Sequence, residues 1–168
     1  MQVQDAIKTR LSIRRYADEK IPEKDLKVLL QALQLSPSAN NTQNWEFVFV
    51  GDPELKQALI PACSSQKFVG DCTYMIAAVA DPRQKWHMVD ATIALTNLTL
   101  QAVELGYGTC WIGAFNENQV KRILNIPDGK KVVICMTLGK PEGRHVPRGR
   151  KPIESFVYLN YFNYPRTK

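Results

Sequence analysis

Five residues near the N-terminus, Arg10-Leu11-Ser12-Ile13-Arg14, alternate polar and apolar side chains. In an extended chain this alternation puts Arg10, Ser12 and Arg14 on one side, about 6.5 to 7 Å apart at successive i, i+2 positions. Two guanidinium forks and a small hydroxyl on one face can wrap a phosphate: arginine offers charge-assisted, forked donors and serine a neutral donor of little bulk. A second run of cations, Arg144, Arg148, Arg150 and Lys151, lies near the other end of the chain. Two distant basic clusters converging on one small phosphate is one reading; a solvated basic surface is the other. A net charge of +6, from 22 Lys and Arg against 16 Asp and Glu, favours anionic partners in either case. Neither cluster has the helical or aromatic-laced pattern of a nucleic-acid binder, so no nucleic-acid partner is expected.

Two further stretches could do chemistry. Ser36-Pro37-Ser38-Ala39-Asn40-Asn41-Thr42-Gln43-Asn44 is longer and richer in amides than a helix-to-strand connection requires. Its small residues would let the backbone approach a flat ligand, and its amides could meet a polar edge, with Gln43 as a brace. Gly108 to Phe115 (GTCWIGAF) is extended and punctuated by glycine. Other candidates fall away. Cys63, Cys72, Cys110 and Cys135 form no CxxC pair and lack a histidine neighbour, so they read as buried or inert thiols. His87 and His145 stand alone, without metal-ligand spacing, and no Walker loop or GxGxxG follows a strand.

The elements that must position these groups follow from periodicity. Val3, Ala6 and Ile7 mark a short first helix, and Leu26, Leu29, Leu30 and Leu33 one stripe of a second that begins near Pro22 and stops before Pro37. Residues 45–50, 73–80 and 131–138 read as strands, 53–60 as a short helix, 108–115 as an extended segment, and 155–158 as a final short strand. Asn116 with Gln119 resembles a capping box for a helix through Leu124. The helix over 88–105, ended by Gly106, carries apolar residues around most of its circumference, which implies burial on more than one side and suits a dimer interface. Helices and strands alternate, so the class is α/β or α+β with a mixed central sheet. The 168 residues, 45% hydrophobic and 23% charged, suit one domain. The apolar runs fall far short of the ~20 residues of a membrane span, the N-terminus lacks a secretory apolar core, and the scattered cysteines fit a reducing cytoplasm.

Three linked segments, Arg10, Ser12, Arg14 and Tyr16, then 36–45, then 106–113, resemble the nitroreductase family of flavin enzymes in order and spacing, and the resemblance runs from Ala6 to about Leu159. It implies an α+β fold, an intertwined homodimer, tightly bound FMN at the subunit interface, and NADH or NADPH as a transient hydride donor to flavin N5. A small electron-poor acceptor, such as a nitroaromatic or a quinone, would then take its place. It implies that Arg10, Ser12 and Arg14 hold the FMN phosphate and ribityl chain, with Arg148 and Arg150 closing on the same phosphate. Pro37, Ser38, Ala39 and Asn41 would reach the flavin from the other subunit. Ile112, Gly113 and Ala114 would present backbone N–H groups to N5 and O4, and Gln66 and Lys67 would contact the pyrimidine end, where Lys67 could steady charge at N1/O2. No side-chain catalyst and no metal are implied; the flavin carries the chemistry. Trp111 and Phe115 are expected in the core, and the aromatic segment 155–168, with Tyr158, Tyr161, Phe162 and Tyr164, is expected to pack on the partner. Relatives of this fold also act as dehalogenases or dehydrogenases, and a non-catalytic FMN- or anion-binding module is the alternative from another class.

Overall fold

The periodicities resolve into six α-helices and four strands among residues 1–162, the part of the chain described in this computed structural model. They are α1 (Val3–Thr9), α2 (Glu23–Gln34), β1 (Glu46–Val50), α3 (Pro53–Ala62), α4 (Phe68–Asp71), β2 (Tyr74–Ala80), α5 (His87–Glu104), β3 (Gly108–Ile112), α6 (Glu117–Leu124) and β4 (Lys131–Gly139). The strands form one sheet in the order β1-β2-β4-β3. All three pairings are antiparallel, so the sheet differs from the mixed one expected. The parallel component is a single bridge, Ser12 to Thr109, made by the N-terminal segment against β3.

Three layers result. Successive residues of β2 point to opposite faces, so Met75, Ala77 and Val79 join Leu59, Ala62 and Val120 on the α3 and α6 side, while Ile76 and Ala78 join Leu29, Leu95 and Leu98 on the α2 and α5 side. Burying each such leucine or isoleucine contributes about 1.5–3 kcal/mol. Ends are set by local chemistry. Asp52 accepts from Leu55 N–H (2.9 Å) at the start of α3, Asn116 accepts from Gln119 N–H (3.0 Å) at the start of α6, and Gly106 takes a positive φ of 79° just beyond α5.

Within one chain α5 buries one face, Asp90, Ala91, Ala94, Leu95, Leu98, Thr99 and Ala102, and leaves Met88, Val89 and Ile93 exposed. The connection from 51 to 73 contains a second short helix, α4. One expectation about the tail differs. The strand anticipated at 155–158 is absent; residues Ile153–Ser155 form a 3₁₀ turn. Aromatic and β-branched side chains there have strand propensity, but among the described residues of one chain no strand pairs with them. Tyr158 and Phe162 instead pack their rings against each other, centroids 4.8 Å apart and planes tilted by 52°. Tyr164 lies outside the described residues.

Candidate functional site

The N-terminal segment is extended, as its alternation predicts. Ile13 and Tyr16 are buried, while Ser12 and Arg14 face outward. Three bonds fasten it: Ile13 N–H to Thr109 O (2.9 Å), the Tyr16 hydroxyl to Ile13 O (2.8 Å), and a hydroxyl pair between Tyr16 and Thr137 (2.7 Å). Burial pushes the Tyr16 phenol well above its ordinary pKa, so it stays a neutral hydrogen-bonding anchor.

Arg10, Ser12 and Arg14 line one pocket of about 300 Å³ with Arg148 and Arg150, so the two ends of the chain meet. Leu11, His145 and Val146 complete the lining, which contains no carboxylate. None of the four arginines belongs to an ion pair among the described residues. Below them lies Cys110: burial pushes its thiol up, against the pull of Arg14, the Ser12 hydroxyl and Arg10. Four unpaired cations, a hydroxyl and an imidazole form a donor-rich concavity, which suits an anion with several acceptor oxygens. Arg144, Arg15 and Lys151 do not line it. Arg15 instead faces a larger cleft of about 730 Å³, where Lys20 and Lys56 mix with Asp18, Glu19, Asp71 and Glu142; with charges of both signs, that cleft does not select an anion.

A second group of candidates gathers at the far end of β3. Gly113 and Ala114 are exposed just past the strand, and Ile112 is buried. Ser64 Oγ donates to Ala114 O (3.0 Å) and Asn116 N–H to Ala62 O (2.7 Å), which seats the turn before α4, carrying Gln66 and exposed Lys67, beside that exit. From Thr109, beside Ser12, to Gly113 is four residues of strand, about 13 Å.

The loop holding Pro37, Ser38, Ala39 and Asn41 is elsewhere in the single chain. It follows α2 and is tied down by Ala39 N–H to Asp90 Oδ1 (3.2 Å), Gln43 N–H to Ser38 Oγ (2.9 Å), and a reciprocal pair between Asn44 and the Asp81 backbone, both 3.2 Å. Asn40, Asn41 and Gln43 all take positive φ, a conformation asparagine tolerates better than most residues.

Comparison with known proteins agrees with this architecture. Residues 2–167 match a family model described as "Putative TM nitroreductase". A protein from Archaeoglobus fulgidus named "Putative NADH dehydrogenase/NAD(P)H nitroreductase" is 32% identical over a 146-position alignment that covers 81% of this chain and 83% of the relative. This chain belongs to the nitroreductase family. Among solved structures, a nitroreductase family protein from Clostridium novyi NT is 32% identical with a TM-score of 0.81, covering 84% of this chain and 86% of its own. An FMN-dependent nitroreductase from Clostridium difficile R20291 is 27% identical with a TM-score of 0.84, covering 94% and 98%.

Within this nitroreductase-family chain the cysteines are buried, free thiols. Burial pushes Cys72 up to about 12, and Cys63 shares a thiol hydrogen bond with Cys135 inside the core. None is open to a substrate. Trp111 and Phe115 are partly buried against opposite faces of the sheet, as core residues would be. The residue that sequence reasoning missed is His145, whose place in the arginine pocket no spacing announces.

Proposed function

We propose that this chain is an FMN-dependent NAD(P)H oxidoreductase that reduces small electron-poor acceptors, nitroaromatics or quinones, by a ping-pong route through one shared site. The observation that carries the reading is the pocket of Arg10, Ser12, Arg14, Arg148 and Arg150. Its donors are uncompensated by any lining carboxylate, and His145 Nε2 is enclosed there without a hydrogen-bond partner. A phosphate dianion supplies the missing acceptors, and the FMN dependence of the C. difficile nitroreductase supports FMN as its bearer.

In this reading the four arginines and Ser12 would hold the phosphate, and Gln66, Lys67 and the backbone of Ile112, Gly113 and Ala114 would hold the ring. FMN, when bound, supplies hydride acceptance and donation at N5. Lys67 would place a cation near the pyrimidine end of the bound ring, and the Gly113 and Ala114 N–H groups would orient its edge. No side-chain general acid is assigned. Pro37, Ser38, Ala39 and Asn41 would contact the flavin of a second copy, which would make a homodimer the working unit. The exposed Met88, Val89 and Ile93 of α5, and the apolar tail, support that assembly. No helix among the described residues is long and apolar enough to cross a membrane. Four free thiols are in keeping with action in a reducing cytoplasm.

The test is reconstitution. The stripped protein takes up FMN, turns yellow, bleaches with NADH or NADPH under anaerobic conditions and recovers its colour with a nitroaromatic or a quinone, and steady-state plots at varied acceptor are parallel. A colourless protein that ignores added FMN overturns the reading.

The tail offers an independent check on the dimer. Leu159 and Phe162 are 81% and 79% exposed in one chain, and Phe156 is also exposed. Packing such groups on a partner would remove apolar surface worth about 25 cal/mol per Å². Truncation after Glu154 therefore weakens dimerisation at least tenfold and lowers retained FMN. Sedimentation and flavin absorbance check both, and unchanged values would remove the tail from the interface.

A further inference from the structure

His145 is half-buried, and among the described residues its Nε2 is one of two side-chain polar atoms enclosed without a hydrogen-bond partner, the other being His87 Nε2. Such groups are uncommon in folded proteins, because a covered ring nitrogen has given up water and gained nothing for it. The other polar side chains lining the pocket are Arg10, Ser12, Arg14, Arg148 and Arg150. A guanidinium cannot accept a hydrogen bond, so the arginines cannot serve an imidazole N–H. Ser12, whose hydroxyl can accept, makes no bond to it here, which leaves the ring nitrogen open to an acceptor oxygen brought by a ligand.

The backbone favours His145 over its neighbours for this task. Residues 143–152 contain no helix or strand. The start of this strap is fixed: Ala17 N–H donates to Lys140 O (2.9 Å), Glu142 N–H to Arg15 O (3.1 Å), and Tyr16 bridges to Pro141. His145 follows three residues after the last of these ties. Arg148 and Arg150 are exposed and farther along the unsupported chain, and Arg150 Nη1 is occupied by its own backbone, donating to Arg148 O (3.0 Å) and Gly149 O (3.2 Å). A donor close to a fixed point loses less conformational freedom on meeting a ligand than one far from it. Rotation about the ring's terminal torsion is soft, so the imidazole can turn an N–H toward the pocket centre as an anion enters.

We propose that His145 is a further phosphate-binding residue of this site, donating an imidazole N–H to the same phosphate oxygens that Arg10, Ser12 and Arg14 hold. The inference rests on the FMN reading given above and adds to it a binding residue from the strap. It also gives the strap a defined role: His145 makes the contact nearest the strap's fixed start, and Arg148 and Arg150 contribute from farther along it.

The experiment titrates the full chain, stripped of flavin, with FMN and separately with riboflavin, which has the same ring and ribityl chain but no phosphate. His145→Ala raises the FMN dissociation constant about tenfold and leaves that of riboflavin unchanged. His145→Gln, which restores a donor, recovers most of the loss. The ³¹P resonance of bound FMN shifts between wild type and His145→Ala, because the electrostatic surroundings of the phosphate have changed. Equal FMN affinity in wild type and His145→Ala overturns the inference, as does a parallel loss of FMN and riboflavin, the mark of a purely structural role. Wild type that fails to bind FMN overturns the underlying functional reading, and this inference with it. Wild type that binds FMN while His145→Ala behaves identically overturns this inference alone.

Discussion

Replacing Arg14 with alanine raises the FMN dissociation constant roughly 10- to 100-fold while riboflavin binding stays within experimental error. Hydrogen bonds to charged groups contribute about 1.5–3 kcal/mol, and each 1.4 kcal/mol is a factor of ten. Arg14 belongs to the group with the largest effect because its segment is the fixed side of the pocket. Its neighbour Ile13 is bonded to Thr109 and buried, so the guanidinium is presented from a backbone that does not need to be ordered by the ligand. The same substitution on the strap, at Arg148, has a smaller effect, because part of that contact energy is spent ordering a segment without regular structure. Calorimetry on the stripped protein gives both constants. FMN also raises the melting temperature of the wild type more than that of Arg14→Ala, since a ligand stabilises the native state in proportion to the logarithm of its occupancy ratio. An Arg14→Ala protein with wild-type FMN affinity would detach the pocket from the cofactor.

Much of this arrangement was legible in the sequence, and the reasons are specific. Alternation from Arg10 to Arg14 marked the pocket-facing side because Ile13 enters the core while Ser12 and Arg14 on either side of it face out; it breaks at the next step, where Arg15 is exposed and Tyr16 buried. The long helix was visible through its apolar content and the glycine beyond it, and α6 through Asn116. What stayed hidden depends on tertiary structure. No local pattern distinguishes an antiparallel from a mixed sheet when strands alternate with helices; the order β1-β2-β4-β3 is set by how α5 and α6 cross its faces. The aromatic run after Glu154 has strand propensity without a strand to join, so propensity misled there. His145 was invisible because an isolated histidine in a Gly/Pro-rich loop has no periodicity, and only the fold of residues 140–142 against the N-terminal segment brings it to the arginines. The role expected of the 37–41 loop came only through resemblance; within one chain its bonds, and those of the adjoining Asn44, run to Asp90 and Asp81 rather than to the pocket.

The fold and the site are joined most tightly at Gly108, and alanine there damages both. The N-terminal segment meets the sheet at the start of the edge strand β3, through the parallel bridge of Ser12 to Thr109. A methyl on Gly108 would press into Ile13 Cγ1 and lie 2.9 Å from both Ile13 Cβ and Pro141 Cγ. Ile13 is buried and Pro141 is bridged to Tyr16, so neither neighbour can swing aside as a flexible side-chain tip would. Overpacking of this kind costs about 1–3 kcal/mol, which lowers the melting temperature of a chain this size by roughly 3–10 °C. Relief comes from lifting the segment off the sheet, and this moves Ser12 and Arg14 with it. Displacements near 1 Å are enough to spoil forked phosphate contacts, so FMN affinity falls on the order of tenfold in the same variant. Gly129→Ala, where an added methyl meets nothing within 4 Å, leaves FMN affinity unchanged. A double-mutant cycle isolates the cause. If the clash with Ile13 is responsible, Ile13→Ala and Gly108→Ala together destabilise by less than the sum of the two single changes, because the added methyl occupies space that the truncated side chain has left. Strict additivity would mean that Gly108 acts through something other than the close approach of the N-terminal segment, and the phosphate pocket would then lose its proposed dependence on that contact.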